Sequence, residues 1–102
     1  MSKAKTNHFL SEDQLHQVAL RFRLLGEPMR LRILQAVCDQ PQTVNDVVKL
    51  VGATQANVSK HLSLLASANI LERKKEGQFV YYGMKDQLAM KLCALVHKHV
   101  AP

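Results

Sequence analysis

Two short amphipathic segments with a very short connection between them restrict most strongly what this 102-residue chain can fold into. Thr43 is a good N-cap for the segment VNDVVKLVG, and Gly52 is expected to end that helix. Thr54 is expected to cap a second helix, which runs from about Gln55 to Ala68. Two short helices joined by such a tight turn form a helix-turn-helix unit.

Helix and strand signals also lie on both sides of this pair. Residues 11–25 begin with a capping box, residues 28–40 begin with a proline at a first helical position, and both carry apolar residues at helical spacing. After the pair, residues 70–84 are rich in β-forming side chains around a turn at Gly77, and residues 86–100 are again helical. The chain is therefore predicted to be mostly α, with one small β-hairpin.

The order of these elements, α-α-α-α-β-β-α, predicts a winged helix-turn-helix domain in which the hairpin is the wing. We expect the domain to span residues 11–100 and a flexible N-terminal arm to span residues 1–10. The sequence has no run of about 18 apolar residues, so no membrane-spanning helix is expected. The N-terminus also lacks the apolar stretch of a secretory signal, which favours a cytoplasmic location.

The charge balance favours an acidic partner. Lys and Arg number 14 against 8 Asp and Glu, for a formal net charge of +6. Nucleic acid, an anionic membrane and simple solubility are all compatible with this excess, but three consecutive basic residues, Arg73, Lys74 and Lys75, lie near the tip of the predicted wing. An enzyme is not expected, because no nucleophile with a base and an oxyanion donor can be assembled by spacing and no glycine-rich phosphate loop is present.

The fourth predicted helix has a polar face suited to reading DNA. If Val58, Leu62 and Leu65 face the core, the polar side chains between them face outward, with His61 near the edge of that face. Gln and Asn can make bidentate bonds to adenine, Ser and Thr can bond base edges or phosphate, and Lys and Arg can contact phosphates. The predicted DNA contacts of this helix and the wing are Thr54, Gln55, Asn57, Ser59, Lys60, His61, Ser63, Arg73, Lys74 and Lys75.

Taken together, three stretches of the sequence resemble the ArsR/SmtB family of winged-helix repressors. They are EPMRLRIL, TVNDVVKLVG and TQANVSKHLSLLASANILERKKEGQFVYY, and the resemblance covers about residues 12–100. It implies a homodimer formed through the first and last helices, which bear long apolar stripes here. It also implies a repressor that leaves its operator when an effector, often a metal ion, binds. Because two recognition helices related by a two-fold axis meet successive major grooves, the double-stranded operator should be an imperfect palindrome.

The metal sites known in that family are incomplete in this chain. The family's Cys-x-Cys on the third helix is absent from TVNDVV. On the last helix, Asp86 and His99 match half of the second pattern, whereas Leu88 and Pro102 occupy the other two positions. Zinc needs about four ligands, and the resemblance implies that two come from each chain. Asp86 with His99 of the partner subunit, helped by His97 or by His8 and His16, is therefore only a partial candidate. The alternative is that His97 and His99 simply favour the C-terminal end of a helix dipole.

The two cysteines leave a second effector hypothesis open. Cys38 lies near the end of the second predicted helix and Cys93 in the middle of the last one, and these helices can pack together. The two cysteines either form a thiol-based switch or, as the sequence favours, pack in the core as small apolar residues. Two further alternatives are an effector-independent repressor and a winged-helix protein-interaction module with weak DNA binding.

Overall fold

The computed structural model describes residues 9–102, so most of the predicted N-terminal arm lies outside the described residues. The elements are α1 (Glu12–Leu25), α2 (Pro28–Val37), β1 (Gln42–Thr43), α3 (Val44–Val51), α4 (Gln55–Ser67), β2 (Leu71–Glu76), β3 (Phe79–Met84) and α5 (Gln87–Val100). The five predicted helices and the predicted hairpin are all present. The additional element is the two-residue strand β1.

Local capping bonds explain where most helices begin. In α1 the Ser11 hydroxyl accepts the Gln14 backbone N–H at 3.1 Å, and the Gln14 side chain accepts the Ser11 N–H at 2.8 Å. Thr43 and Asp46 form the same reciprocal box at the start of α3. The Thr54 hydroxyl caps α4 by accepting the Asn57 N–H at 3.2 Å. Each cap satisfies backbone donors that the first helical turn leaves unpaired.

The connection between α3 and α4 depends on a left-handed residue. Gly52 has φ of 71° and donates its N–H to the carbonyl of Val48, which closes the last turn of α3. Residues with a Cβ rarely adopt this conformation, whereas glycine does so at little cost. The chain can therefore turn within Gly52 and Ala53 and begin α4 at once.

The strands form an antiparallel sheet in the order β1-β3-β2. Leu71 pairs with Met84 and Glu76 with Phe79 across the hairpin, while Gln42 of β1 pairs with Tyr82 on the other edge of β3. Strand β1 thereby attaches the wing to the segment that enters α3. One small sheet thus fixes the orientation of the wing relative to the helix-turn-helix unit.

The core lies beneath the helix-turn-helix unit, and α1 and α5 contribute little to it. Fully buried side chains come from α2, α3, α4, the first residue of β2 and the residue just before it: Ile33, Leu34, Val37, Val47, Val58, Leu62, Leu65, Ile70 and Leu71. In contrast, α1 buries only Leu24 and α5 only Ala89. Within residues 9–102, no helix is both long enough and apolar enough to cross a bilayer.

The apolar stripes of α1 and α5 are exposed in one protomer. Phe22 of α1 is 60% exposed, and Leu95 of α5 is 59% exposed. The two helices are linked by an ion pair between Arg21 and Asp86, at 2.8 Å. An apolar surface of this extent is typical of a protein–protein interface, as expected for the predicted dimer contact.

Candidate nucleic-acid interface

Helix α4 presents a polar face to solvent because its opposite face is locked into the core. Val58, Leu62 and Leu65 are completely buried. On the other side, four of the side chains predicted to face outward are exposed: Gln55, Asn57, Lys60 and Ser63. The fifth, Ser59, is half-buried, and the N-cap Thr54 is exposed. No acidic residue lies in the first turn of α4, so the positive end of the helix dipole is not neutralised there. The N-terminal half of α4 is therefore a polar surface on which an anion is favoured.

The orientation expected for His61 was wrong. Its side chain is only 9% exposed, and its Nδ1 accepts a hydrogen bond from Nε of Arg30 at 3.2 Å. The reason is helical geometry: His61 lies three residues after Val58 and four before Leu65, which places it on the buried face. A buried imidazole bonded inside the protein is not available to DNA, so we remove His61 from the contact set.

Arg30 is the structural residue that the sequence did not reveal. Besides His61, its guanidinium reaches the carbonyls of Arg23 and Leu24 through Nη1, at 3.4 and 3.3 Å. Its backbone N–H donates to the carboxylate of Glu27, the N-cap of α2, at 2.9 Å. This hydrogen bond is the main reason why the pKa of Glu27 is lowered. In the sequence, Arg30 follows Met29 on an amphipathic helix. A charged residue on such a helix normally indicates a solvated face, so these contacts could not be predicted from the sequence.

The wing carries basic side chains on both of its faces. Arg73, Lys74 and Lys75 are all exposed on β2. Arg73 pairs with the buried Tyr82, whereas Lys74 pairs with the half-buried Tyr81. Because residues directly opposite each other share a face of a hairpin, the charges alternate between the two faces. Arg73 and Lys75 therefore lie on one face of the wing and Lys74 on the other, and all three are exposed.

Within residues 9–102 of one protomer, no group of three metal-ligating side chains is found. The Asp86 carboxylate already has two partners, since it pairs with Arg21 and caps α5 by accepting the Leu88 N–H at 3.0 Å. His97 and His99 lie in the last turn of α5, about 16 Å or more farther along the helix axis. One chain therefore does not bring Asp86 and the two histidines together, and the pairing of Asp86 with His99 of the partner subunit stays a prediction.

The prediction that both cysteines belong to the core was wrong for Cys38. Cys38 follows α2 as its C-cap and is exposed, because the chain leaves the core there; its thiol donates to the Gln35 carbonyl at 3.1 Å. Cys93 is half-buried, and burial raises the pKa of its thiol. A raised pKa decreases the thiolate fraction, so Cys93 is less nucleophilic than an ordinary exposed cysteine.

An open apolar groove of about 540 Å³ lies between α1, α2 and α5. Phe22, Leu34, Cys93 and Val96 are among the side chains that line it. Cys38 is not on its wall, so the two sulfur atoms do not share this space. The groove continues the exposed apolar surface of α1 and α5.

Comparison with known proteins decides which family this fold and interface represent. A family model described as bacterial regulatory protein, arsR family, matches residues 27–73, the part from α2 through the start of the wing. The chain is also 32% identical over 91 residues to a transcriptional repressor SmtB homolog of a Synechocystis species. The aligned residues cover 89% of this chain and 69% of that protein. The chain belongs to the ArsR/SmtB family. The winged helix-turn-helix fold and the DNA-binding transcriptional regulator predicted from sequence are thereby confirmed.

Other ArsR/SmtB relatives agree with this assignment. The arsenical resistance operon repressor of Bacillus subtilis is 29% identical over 90 residues, with 82% of this chain and 86% of that protein covered. A homodimeric winged helix-turn-helix DNA-binding domain of Mycobacterium bovis has a TM-score of 0.75 at 27% identity, with 87% of this chain and 85% of that chain covered. The homodimer named for that structure supports the one predicted here from the apolar stripes of α1 and α5.

Proposed function

We propose that this ArsR/SmtB protein is a dimeric repressor. It recognises its operator with the exposed polar face of α4 and contacts the flanking phosphates with its wing. The chain acts by binding alone, and it works in the cytoplasm, where a bacterial operator lies. The DNA contacts are those predicted from sequence with His61 removed: Thr54, Gln55, Asn57, Ser59, Lys60, Ser63, Arg73, Lys74 and Lys75.

One observation carries the proposal: the division of α4 into a completely buried face and an exposed polar face. Val58, Leu62 and Leu65 fix the rotation of the helix about its axis, since turning it would expose three fully buried side chains. With that rotation, Gln55 and Asn57 stand exposed at the N-terminal end of α4. The N-terminal residues of a recognition helix are the ones that reach base edges in a helix-turn-helix complex.

The side chains divide by chemistry into base readers and phosphate anchors. Gln55 and Asn57 offer a donor and an acceptor on one planar amide, which matches the major-groove edge of adenine. Lys60 of α4 and Arg73 of the wing offer only donors and a positive charge, which suits phosphate. The first group is expected to determine which sequence is bound and the second how strongly any duplex is bound.

Two-fold symmetry sets the form of the operator. In a dimer formed through α1 and α5, each protomer presents one copy of α4, and the two copies enter successive major grooves about 34 Å apart. The half-sites should therefore be inverted repeats. An effector that favours a dimer in which the two α4 helices are mis-spaced lowers operator affinity by its coupling free energy, commonly about 1–3 kcal/mol.

We expect Gln55→Ala and Asn57→Ala to weaken binding to a duplex selected from a random pool by about 1–3 kcal/mol while leaving binding to random DNA nearly unchanged. Lys60→Ala and Arg73→Ala should weaken binding to both duplexes and reduce the slope of log affinity against log salt by about one each. Titrations of both duplexes at several salt concentrations measure the two effects.

Lys91→Ala is the matched control, because Lys91 is an exposed basic residue on α5, away from the proposed interface. It should leave both affinities and the salt slope close to those of the unmodified protein. The division of roles is refuted if Gln55→Ala and Asn57→Ala weaken selected and random duplexes equally. The location of the interface is refuted if Lys91→Ala has the larger effect.

A further inference from the structure

The tip of the wing carries an apolar ring that the proposed phosphate contacts do not use. All side chains from residue 72 to residue 79 are exposed, so this end of the hairpin projects from the body of the protein. Gly77, with φ of 62°, and Gln78 form the turn, and Phe79 begins the returning strand β3. Phe79 remains 52% exposed. Packing within one protomer therefore leaves much of this ring in water, which is unfavourable for an apolar side chain.

Phe79 packs on a second aromatic residue, Tyr81. The two ring centroids are 6.5 Å apart with 59° between the ring planes, a tilted arrangement of the kind that aromatic pairs favour. Tyr81 lies two residues closer to the body, where β3 is paired with Thr43 of β1 on one edge and with Lys74 of β2 on the other. The ring of Phe79 therefore stands on a supported part of the sheet and is held at the end of the hairpin.

The charges of the wing indicate what kind of surface this ring meets. The basic residues 73–75 are exposed and lie one to three residues back from the tip, about 3–10 Å along the strand. Acidic residues bound this basic run at both ends, with Glu72 nearer the body and Glu76 directly across from Phe79. Glu76 opposes a phosphate contact at the tip itself, because like charges repel. The tip is thus apolar, whereas the segment behind it is cationic.

This order of groups matches the profile of a DNA minor groove. The rims of that groove are phosphates, and its floor, about 7.5 Å below them, is formed by base edges. A ring that reaches the floor would leave the cations, about 3–10 Å behind it, level with the phosphates. With α4 in the major groove, the neighbouring groove on the side of the wing is a minor one, since the two grooves alternate along the duplex.

We propose that Phe79 enters the minor groove that flanks each half-site, that it acts there as an apolar wedge between two base pairs, and that it selects operators with a flexible step at this position. The inference rests on the α4 interface proposed above. It adds a residue that determines sequence preference to a wing otherwise assigned only to phosphates.

A wedge selects DNA by how easily the DNA deforms. Phenylalanine is among the apolar side chains that proteins insert between base pairs, and insertion partly unstacks the step and kinks the duplex. Pyrimidine–purine steps such as TA unstack easily. A phenyl ring makes no conventional hydrogen bond with base edges, so its preference depends on this deformability. A ring that only packed on Tyr81 would affect all duplexes equally, and this difference is the basis of the test.

The test uses duplexes that keep the half-sites selected from a random pool, while one TA step is moved through GC-rich flanks. The unmodified protein should bind about tenfold more tightly to a TA step than to a GG step located about five base pairs, half a helical turn, outside the centre of each half-site. The fluorescent base 2-aminopurine, placed at that step, should become brighter on binding, because unstacking relieves its quenching. Phe79→Ala should reduce the preference to less than about twofold and abolish the fluorescence change, whereas Phe79→Leu should retain most of both.

Gln78→Ala is the matched control, since Gln78 is an exposed polar residue of the same turn, and it should keep the preference for the TA step. Phe79→Gln, which removes the ring but keeps a long side chain, decides if Phe79→Ala does not fold. The inference is overturned if loss of the ring retains the preference, or if it weakens binding to TA and GG duplexes by the same factor. A protein that selects the half-sites but no flanking step overturns this inference only. An unmodified protein that prefers no half-site overturns the α4 interface and this inference together.

Discussion

Replacing Leu95 with glutamate is expected to separate the dimer into monomers and to lower operator affinity by at least about 100-fold, the usual loss when two linked contacts become independent. Leu95 lies on the apolar stripe of α5 and is 59% exposed in one protomer. Burial of this apolar side chain stabilises the protein only when a second copy covers it. A carboxylate at this position would have to be buried without a partner in the dimer, which costs several kcal/mol.

Gln87→Glu is the matched control for this change. Gln87 begins the same helix, is exposed and polar, and receives the same change in charge. Sedimentation equilibrium measures the assembly state, and titration with the selected duplex measures the affinity. A Leu95→Glu protein that remains dimeric would show that the α5 stripe is not the subunit contact.

The second large effect is expected in the core of the reading helix. Leu62→Ala should decrease the free energy of unfolding by about 2–5 kcal/mol, because the lost methyl groups leave a cavity that a packed core only partly closes. Leu62 is completely buried on the core-facing side of α4, in the turn that also carries Ser63. Operator selectivity should fall with stability, since the cavity also loosens the rotation of the polar face.

Leu64→Ala on the same helix provides the comparison. Leu64 is 40% exposed, so the same chemical change should cost less than half as much. Denaturant unfolding of both variants at one protein concentration measures the difference, and the fixed concentration is needed because dimer stability depends on it. Equal losses for Leu62→Ala and Leu64→Ala would contradict the orientation of α4 described here.

Features fixed by near neighbours in the sequence were the ones that could be predicted. Ser11, Thr43 and Thr54 bond to backbone groups three residues away, so each cap could be predicted from a short stretch of sequence. The hairpin and the exposed face of α4 likewise follow from periods of two and about 3.6 residues. For these elements local preference and tertiary packing agree.

Features that depend on distant partners could not be predicted. Arg30 and His61 are 31 residues apart in the chain, and no local pattern indicates that a charged side chain on α2 holds a buried ring on α4. Strand β1 is only two residues long, too short for any periodicity, and exists because β3 offers an edge. The exposure of Cys38 follows from the point at which the chain leaves α2, which propensity places only within a few residues.

The central claim is that DNA is bound by the polar face of α4 and the wing rather than by another basic surface. Backbone amide chemical shifts measured during titration with the selected duplex test it most directly. The largest changes should fall on Gln55, Asn57 and Lys60 and on residues 73–75, with little change on α5 at Lys91 and Lys98. Changes centred on Lys91 and Lys98, with α4 unaffected, would contradict the account.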